Sequence, residues 1–314
     1  MVRPLRYMSE PHRMFEISTR AMQRRFLLRR SAKLNDLVLG IFGKALDMYP
    51  GVNLYLFKVV SNHYHALVSA ENCFVLSAFV GHINSNIARE AGRMHQWRDK
   101  FWTRRFTQLS VEDEESLRES IRYIIAHGCK ENLVHSPEKW PGVGCEQALT
   151  TGETMVGTWF DRSAFYEAER KGKKVHPQDF TKRYAVPLTP LPFLSAKTES
   201  QRQAYFRRII KDVREETIER LANENSQVLG AEAVLAQDPH AFPRKSRKSP
   251  APLCHAKTAA RRRAYRRKYK MFVAAYRWAA DKLRRGEPNV KFPENCFPPP
   301  MAFSVPSSGT SPPV

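Results

Sequence analysis

The sequence predicts an α+β fold: an antiparallel sheet with helices packed on one face, followed by a mainly helical C-terminal region. Three observations predict it. Leu54, Leu56 and Lys58 alternate with Tyr55, Phe57 and Val59 as in a buried strand, and a second apolar run follows the polar break Ser61-Asn62. Leu34, Val38, Ile41, Phe42 and Leu46 recur at helical spacing, as do Leu76, Phe79, Val80, Ile83, Asn86 and Ile87. The connections between these stretches are short, which suits elements that fold back on one another.

Taken in order, Met14–Thr19 reads as a short strand. Arg20–Arg30 follows as a hairpin or extended segment, with Arg24, Arg25, Arg29 and Arg30 flanking Phe26-Leu27-Leu28. Ser31 is placed to cap the first helix, and Tyr49-Pro50-Gly51 ends it. The two strands come next. Asn72 opens a second helix that ends around Gly92, and Arg104–Leu109 is a further strand. Ser110 with Asp113 resembles a capping box for a helix over Val111–His127, with Gly128 at its C-cap. The order is βαββαβα, a ferredoxin-like arrangement within residues 1–150.

Residues 151–245 read as a helical accessory region. Pro187–Phe193 is a linker or wrap, Glu199–Leu221 is a helix, and Val228–Ala236 is a shorter one. The last two are either a helix-turn-helix or two packed helices. Residues 246–285 combine the end of a Pro/Lys/Arg/Ser-rich linker with a basic amphipathic helix, Ala256–Arg285. Residues 286–314 form a Pro- and Ser-rich tail, read as partly disordered.

The chain has 314 residues and a formal charge of +21. Such an excess points to a polyanion, most often nucleic acid. It is concentrated on the last helix, where Arg262 and Arg266 stand among ten other basic residues against the single acid Asp281. That face is read as contacting phosphate, the ordinary alternative being a solvated face on a packed helix. No stretch approaches the roughly 18 apolar residues of a membrane span, so no membrane partner is expected. MVRPLRYMSEPHR lacks the apolar run of a secretory leader. The five cysteines are scattered without a CxxC pair, which fits a reducing cytoplasm and excludes a disulfide framework and a zinc ribbon.

Two motifs carry chemistry. In His63-Tyr64-His65 the strand period puts both imidazoles on one face and Tyr64 on the other. Such a pair is either a metal-ligand pair or two ordinary strand histidines. On the Val111–His127 helix, Leu117, Ile121, Ile124 and Ile125 cluster within about 100° of one another at ~100° per residue. Tyr123 and His127 share another face as an i, i+4 pair. Tyr123 is therefore not a core tyrosine; it is either functional or a surface residue.

The paired histidines, the later off-core tyrosine and the basic charge resemble the single-tyrosine HUH transposases, and within them the REP-associated tyrosine transposase branch. The resemblance runs from about Phe15 to Val143. It is carried by ISTRAMQRRFLLR, SNHYHALV, FWTRRF, YIIAHGCKENLV and PEKWPGV. It implies a ferredoxin-like enzyme that cuts and transfers single-stranded or hairpin-bearing DNA in a bacterial, nucleoid-associated, cytoplasmic setting. A homodimer is compatible with it.

By position, the resemblance makes Tyr123 the nucleophile and His63 and His65 the ligands of a divalent metal, Mn or Mg, with Zn also suitable. His127 stands where the family usually carries an amide that completes the metal shell. An imidazole there gives three nitrogen ligands; the alternative is a helix C-terminal residue favoured by the dipole. Arg24, Arg25, Arg104 and Arg105 are expected to hold DNA phosphates. Two other activities fit the same residues: a hairpin-binding protein that no longer cuts, and a nuclease that uses metal-activated water.

Overall fold

In chain order, β1 (Met14–Arg20), α1 (Ala32–Met48), β2 (Val52–Val60), β3 (His63–Ala70), α2 (Cys73–Met94), β4 (Thr107–Val111) and α3 (Glu114–Ile125) realise the expected βαββαβα order. The computed structural model describes residues 5–241, 252–287 and 289–299. The accessory region follows with α4 (Glu146–Thr151), β5 (Met155–Phe160), α5 (Arg162–Arg170), β6 (Thr181–Val186), α6 (Glu199–Asn223) and α7 (Ala231–Leu235). The C-terminal part adds β7 (Cys254–His255) and α8 (Ala259–Arg284).

The main sheet has the order β2-β3-β1-β4-β7. Its first four strands are antiparallel, and β7 joins β4 in parallel. The β1–β3 register places Arg20 opposite His63 and Ser18 opposite His65. Directly opposed residues share a face, so Glu16, Ser18, Arg20, His63 and His65 project together. Tyr64, Phe15 and Ile17 project to the other side and are fully buried.

Long helices α1 and α2 cover that second side. Phe42 of α1 stacks on Phe57 at 4.4 Å, and the Tyr64 hydroxyl donates to Asn84 Oδ1 of α2 at 2.8 Å. The third helix corrects the expectation that all helices lie on one face. Its apolar stripe, Leu117, Ile121, Ile124 and Ile125, is buried, and its C-terminal end is held by Lys58, which shares a face with His65. Helix α3 therefore crosses the histidine side of the sheet.

Several boundaries differ from expectation for local reasons. Arg20–Arg30 forms no hairpin; it contains a short 3₁₀ turn, Met22–Arg24, with Gln23 and Arg24 at positive φ. The fourth strand begins at Thr107, leaving Arg104 and Arg105 in the exposed bend before it. Asp113 caps α3 by accepting from the Ser116 N–H, whereas Ser110 belongs to β4 and donates to Glu112. His127 and Gly128 lie in the turn after α3, and Gly128 takes φ +92°, two residues beyond the cap at Ala126. A bulge at Leu54/Leu56 interrupts the alternation in β2, so nearly every residue there is buried.

The accessory region is not purely helical, because β5 and β6 form a two-stranded antiparallel sheet on α1. Their approach needs glycine on both sides. A Cβ on Gly40 would stand 2.1 Å from the Thr158 carbonyl oxygen, and one on Gly157 would stand 2.2 Å from the Gly40 nitrogen. The pair α6 and α7 is not a helix-turn-helix. Residues 224–230 separate them, and α7 has 5 residues whose Val234 is buried beside Val60, Trp140 and Val213. Pro187–Phe193 wraps the sheet, with the Thr189 N–H donating to the Leu54 carbonyl.

The WPGV stretch forms a clamp at β2. Trp140 Nε1 and Arg30 both donate to the Val59 carbonyl, and the Arg30 guanidinium lies 3.3 Å from the centre of the Trp140 ring. Residues 242–251 of the expected linker lie outside the described residues, and Cys254–His255, expected to lie between linker and helix, form a strand. Part of the tail packs back: Cys296 is buried, and Phe297 meets Phe74 at 4.8 Å. Residues 300–314 lie outside the described residues. All five cysteines are free and buried. No helix among the described residues is long and apolar enough to cross a membrane.

Candidate active site

His63 and His65 reach one face because they are two residues apart on β3, and their rings lie 5.2 Å apart. His127 comes from the turn after α3, its ring 5.3 Å from His63 and 4.4 Å from His65. Each of the three offers a nitrogen within 4.8 Å of the others, and all three are buried.

Each ring is fixed through the same nitrogen. Nδ1 of His63 lies 2.6 Å from Asn62 Oδ1, Nδ1 of His65 lies 2.9 Å from Glu16 Oε1, and Nδ1 of His127 lies 2.9 Å from the Tyr123 carbonyl oxygen. These partners are acceptors, so Nδ1 carries the proton in each ring and the Nε2 lone pair remains available. Burial, followed by the neighbouring imidazoles, pushes the His63 pKa well below its usual range. Burial and His65 bring His127 down to about 3. Both are neutral at physiological pH, the form that binds metal. The donor set fits a borderline divalent ion better than Mg²⁺, which prefers oxygen.

Tyr123 stands against this cluster. Its ring centre is 5.5 Å from that of His65 and 4.6 Å from that of His127. It is 37% exposed, which leaves it open to a macromolecular substrate. Burial, then the carboxylates of Glu16 and Glu131, raise its pKa, and Arg20 opposes them. Lys130 Nζ lies 4.0 Å above the phenol ring.

The support beneath is ionic. Lys58 Nζ pairs with Glu146 at 2.7 Å and donates to the Ile125 carbonyl at 3.0 Å. Arg122 pairs with Glu216 of α6, and Arg220 donates to the Cys129 carbonyl. The accessory region thus braces the helix that carries Tyr123.

The basic residues divide. Arg20 is coupled electrostatically to Tyr123 and to its fellow arginines Arg24 and Arg104. Arg25 turns elsewhere: it donates to Gln23 and the His240 carbonyl and lies 5.3 Å from the Trp97 ring centre. Arg105 is coupled to Arg6, whose guanidinium lies on Phe106. On α8, Arg266 is exposed, whereas half-buried Arg262 donates to the carbonyls of Ala256 and Lys257.

Sequence reasoning missed Glu16, Arg20, Lys58 and His255. Glu16 and Arg20 had a signal in the period-2 alternation of polar residues with Phe15, Ile17 and Thr19. Reading it requires the register of β1 on β3.

The family model described as transposase IS200-like matches residues 15–127. No curated protein matches the chain. Among solved structures, a REP-associated tyrosine transposase bound to a REP hairpin aligns at 16% identity, over 48% of this chain and 87% of its own, with a TM-score of 0.40. A candidate transposase from Deinococcus radiodurans R1 aligns at 18% identity, over 40% of this chain and 95% of its own, with a TM-score of 0.28.

Proposed function

We propose, from the match of residues 15–127 to the transposase IS200-like family model, that the chain is a single-tyrosine strand transferase of the REP-associated kind, acting on single-stranded, hairpin-bearing DNA. The observation that carries this reading is the contact of the Tyr123 ring with His65 and His127, above three buried histidines whose Nε2 atoms are all available.

His63, His65 and His127 would hold a divalent metal, which when bound polarises the scissile phosphate and orients it for in-line displacement. The chain's own residues do the rest. Helix α3 presents the Tyr123 oxygen to the phosphorus. The phenol gives up its proton as the new O–P bond forms, and the 3′ oxygen of the preceding nucleotide leaves. The products are a 5′-phosphotyrosyl protein and a free 3′-OH. The O–P bond energy is conserved, so attack by a second 3′-OH reseals a strand and restores the phenol without ATP. Arg20, coupled to Tyr123, and its neighbours Arg24 and Arg104 are suited to strand phosphates.

The test incubates the full-length protein with Mn²⁺ and a 5′-tailed hairpin oligonucleotide and looks for a covalent adduct that survives denaturation. Wild type should form it, and Tyr123→Phe should lose it while binding DNA within a few fold of wild type. An adduct formed by the Phe variant would remove Tyr123 from this role. Metal-dependent cutting with no adduct would favour the water-using nuclease, and binding without cutting would favour the inactive hairpin-binding protein.

A further inference from the structure

Glu16 is a buried carboxylate at the centre of the sheet, and both of its oxygens face histidines. Oε1 is hydrogen-bonded to His65 Nδ1 at 2.9 Å, and Oε2 lies at ion-pair distance, 3.1 Å, from His255 Nε2. The second histidine arrives from well over a hundred residues beyond the family match. Its position is set by the backbone. Strand β7 lies parallel to β4 with Cys254 beside Ser110 and His255 beside Val111, and the Glu112 N–H donates to the His255 carbonyl at 2.8 Å. Glu16 is opposite Leu109, so the next β4 residue on that face is Val111. The added strand therefore delivers His255 to the histidine side of the sheet.

The residues just after β7 hold the other half of the site. The Lys257 N–H donates to Asp113 Oδ2 at 3.0 Å, and its ammonium lies 2.9 Å from both Glu115 and Glu119. Arg261 donates to the Glu112 carbonyl and pairs with Asp113. These acids lie at the N-cap and along the first half of α3, which carries Tyr123. One short segment thus touches the support of His65 and the start of the tyrosine helix.

We propose that His255 is a positioning residue for the metal site: it fixes the Glu16 carboxylate, Glu16 fixes the His65 ring, and residues 254–261 clasp the metal-ligand strand to the tyrosine helix. The inference rests on the metal-binding reading of the three histidines. Carboxylate partners of ligating histidines set ring orientation and basicity, and their loss typically weakens metal binding about 10- to 100-fold. His255 acts one contact further out, so its effect is smaller.

The test titrates metal-free, full-length protein with Co²⁺, followed by its visible absorption, with thermal unfolding measured without metal. His255→Ala should weaken Co²⁺ binding about 3- to 10-fold, below the range for a group that touches the ligand itself. His255→Gln, whose amide still reaches Glu16, should restore wild-type affinity. In a Glu16→Ala background, His255→Ala should add nothing, because the two act in series. If His255→Ala unfolds, His255→Asn, with an amide too short to reach, supplies the comparison. Wild-type affinity in the Ala or Asn variant, or an equal loss with and without Glu16, would overturn the proposal. A wild-type protein that binds no Co²⁺ would overturn the metal reading and this proposal together, whereas an unaffected variant of a metal-binding wild type overturns this one alone.

Discussion

Lys58 and Glu146 form an ion pair at 2.7 Å with side chains 1% and 9% exposed, and the same ammonium holds the last carbonyl of the tyrosine helix. Removing one member of a buried pair strands the other charge, at a cost of about 3–5 kcal/mol. Lys58→Met should therefore lower stability by that order in urea unfolding. Lys58→Met with Glu146→Leu should recover most of it, because neither charge is then left buried. If the double variant is no more stable than the single, the pair's role lies in geometry rather than in charge compensation.

Acid should weaken the metal-free protein through its histidines. The folded-state pKa of His127 falls to about 3 from its usual 6.5, and that of His63 falls well below the same value. The unfolded chain thus binds more protons than the folded one below pH 6.5, and stability falls as pH drops from there towards about 3. His127 contributes a slope of about 1.4 kcal/mol per pH unit inside that window, and His63 acts in the same direction. His127→Asn should show a shallower pH dependence in chemical denaturation. An unchanged slope would mean that His127 is hydrated and titrates normally.

On the metal-binding reading, three nitrogen donors should set the metal preference. Mn²⁺ should support adduct formation better than Mg²⁺, and His127→Asn should shift the preference towards Mg²⁺ by supplying an oxygen. His127→Ala should weaken metal affinity by at least the roughly 10- to 100-fold seen for groups that only support a ligand. Calorimetric titration of the three proteins decides this. Wild-type affinity in the Ala variant would return His127 to the role of a helix-terminal residue.

The α8 helix should add salt-sensitive DNA affinity. Residues 254–261 are built into the sheet and the start of α3, so truncation would disturb the site itself, and exposed side chains are the better probe. Replacing Arg266, Arg267 and Lys270 with Gln should flatten the dependence of log K on log salt by about 0.7 for each single-strand phosphate that these side chains neutralise. An unaltered slope would assign that face to solvent.

Much of this architecture was legible because it is local. The His63/His65 pair follows from strand period, the Tyr123/His127 pair from helix geometry, and Ser31 and Asn72 cap their helices as their residue types demand. What was not legible depends on pairing across long sequence distance. Glu16 looks like an ordinary polar strand residue until β1 is set against β3. Two residues of β7 carry no periodicity, so nothing local marks His255 as part of the sheet. The side of the sheet that α3 covers was likewise hidden, since an amphipathic helix packs equally well on either.

The two pairings at the margins of the sheet bear on assembly. On the β2 side, the Val59 N–H donates to the Val143 carbonyl, Lys58 bridges Gly144, and Thr189 bonds Leu54. On the β4 side β7 pairs with the end of the strand, at Ser110 and Val111, and at 2 residues is too short to template another strand. Among the described residues both margins are thus partly occupied, which disfavours a second copy joining by continuing the sheet. On the proposed function, two molecules that worked on paired DNA ends would meet through side chains or through the nucleic acid itself, and the strength of their association would then depend on the DNA that brings them together.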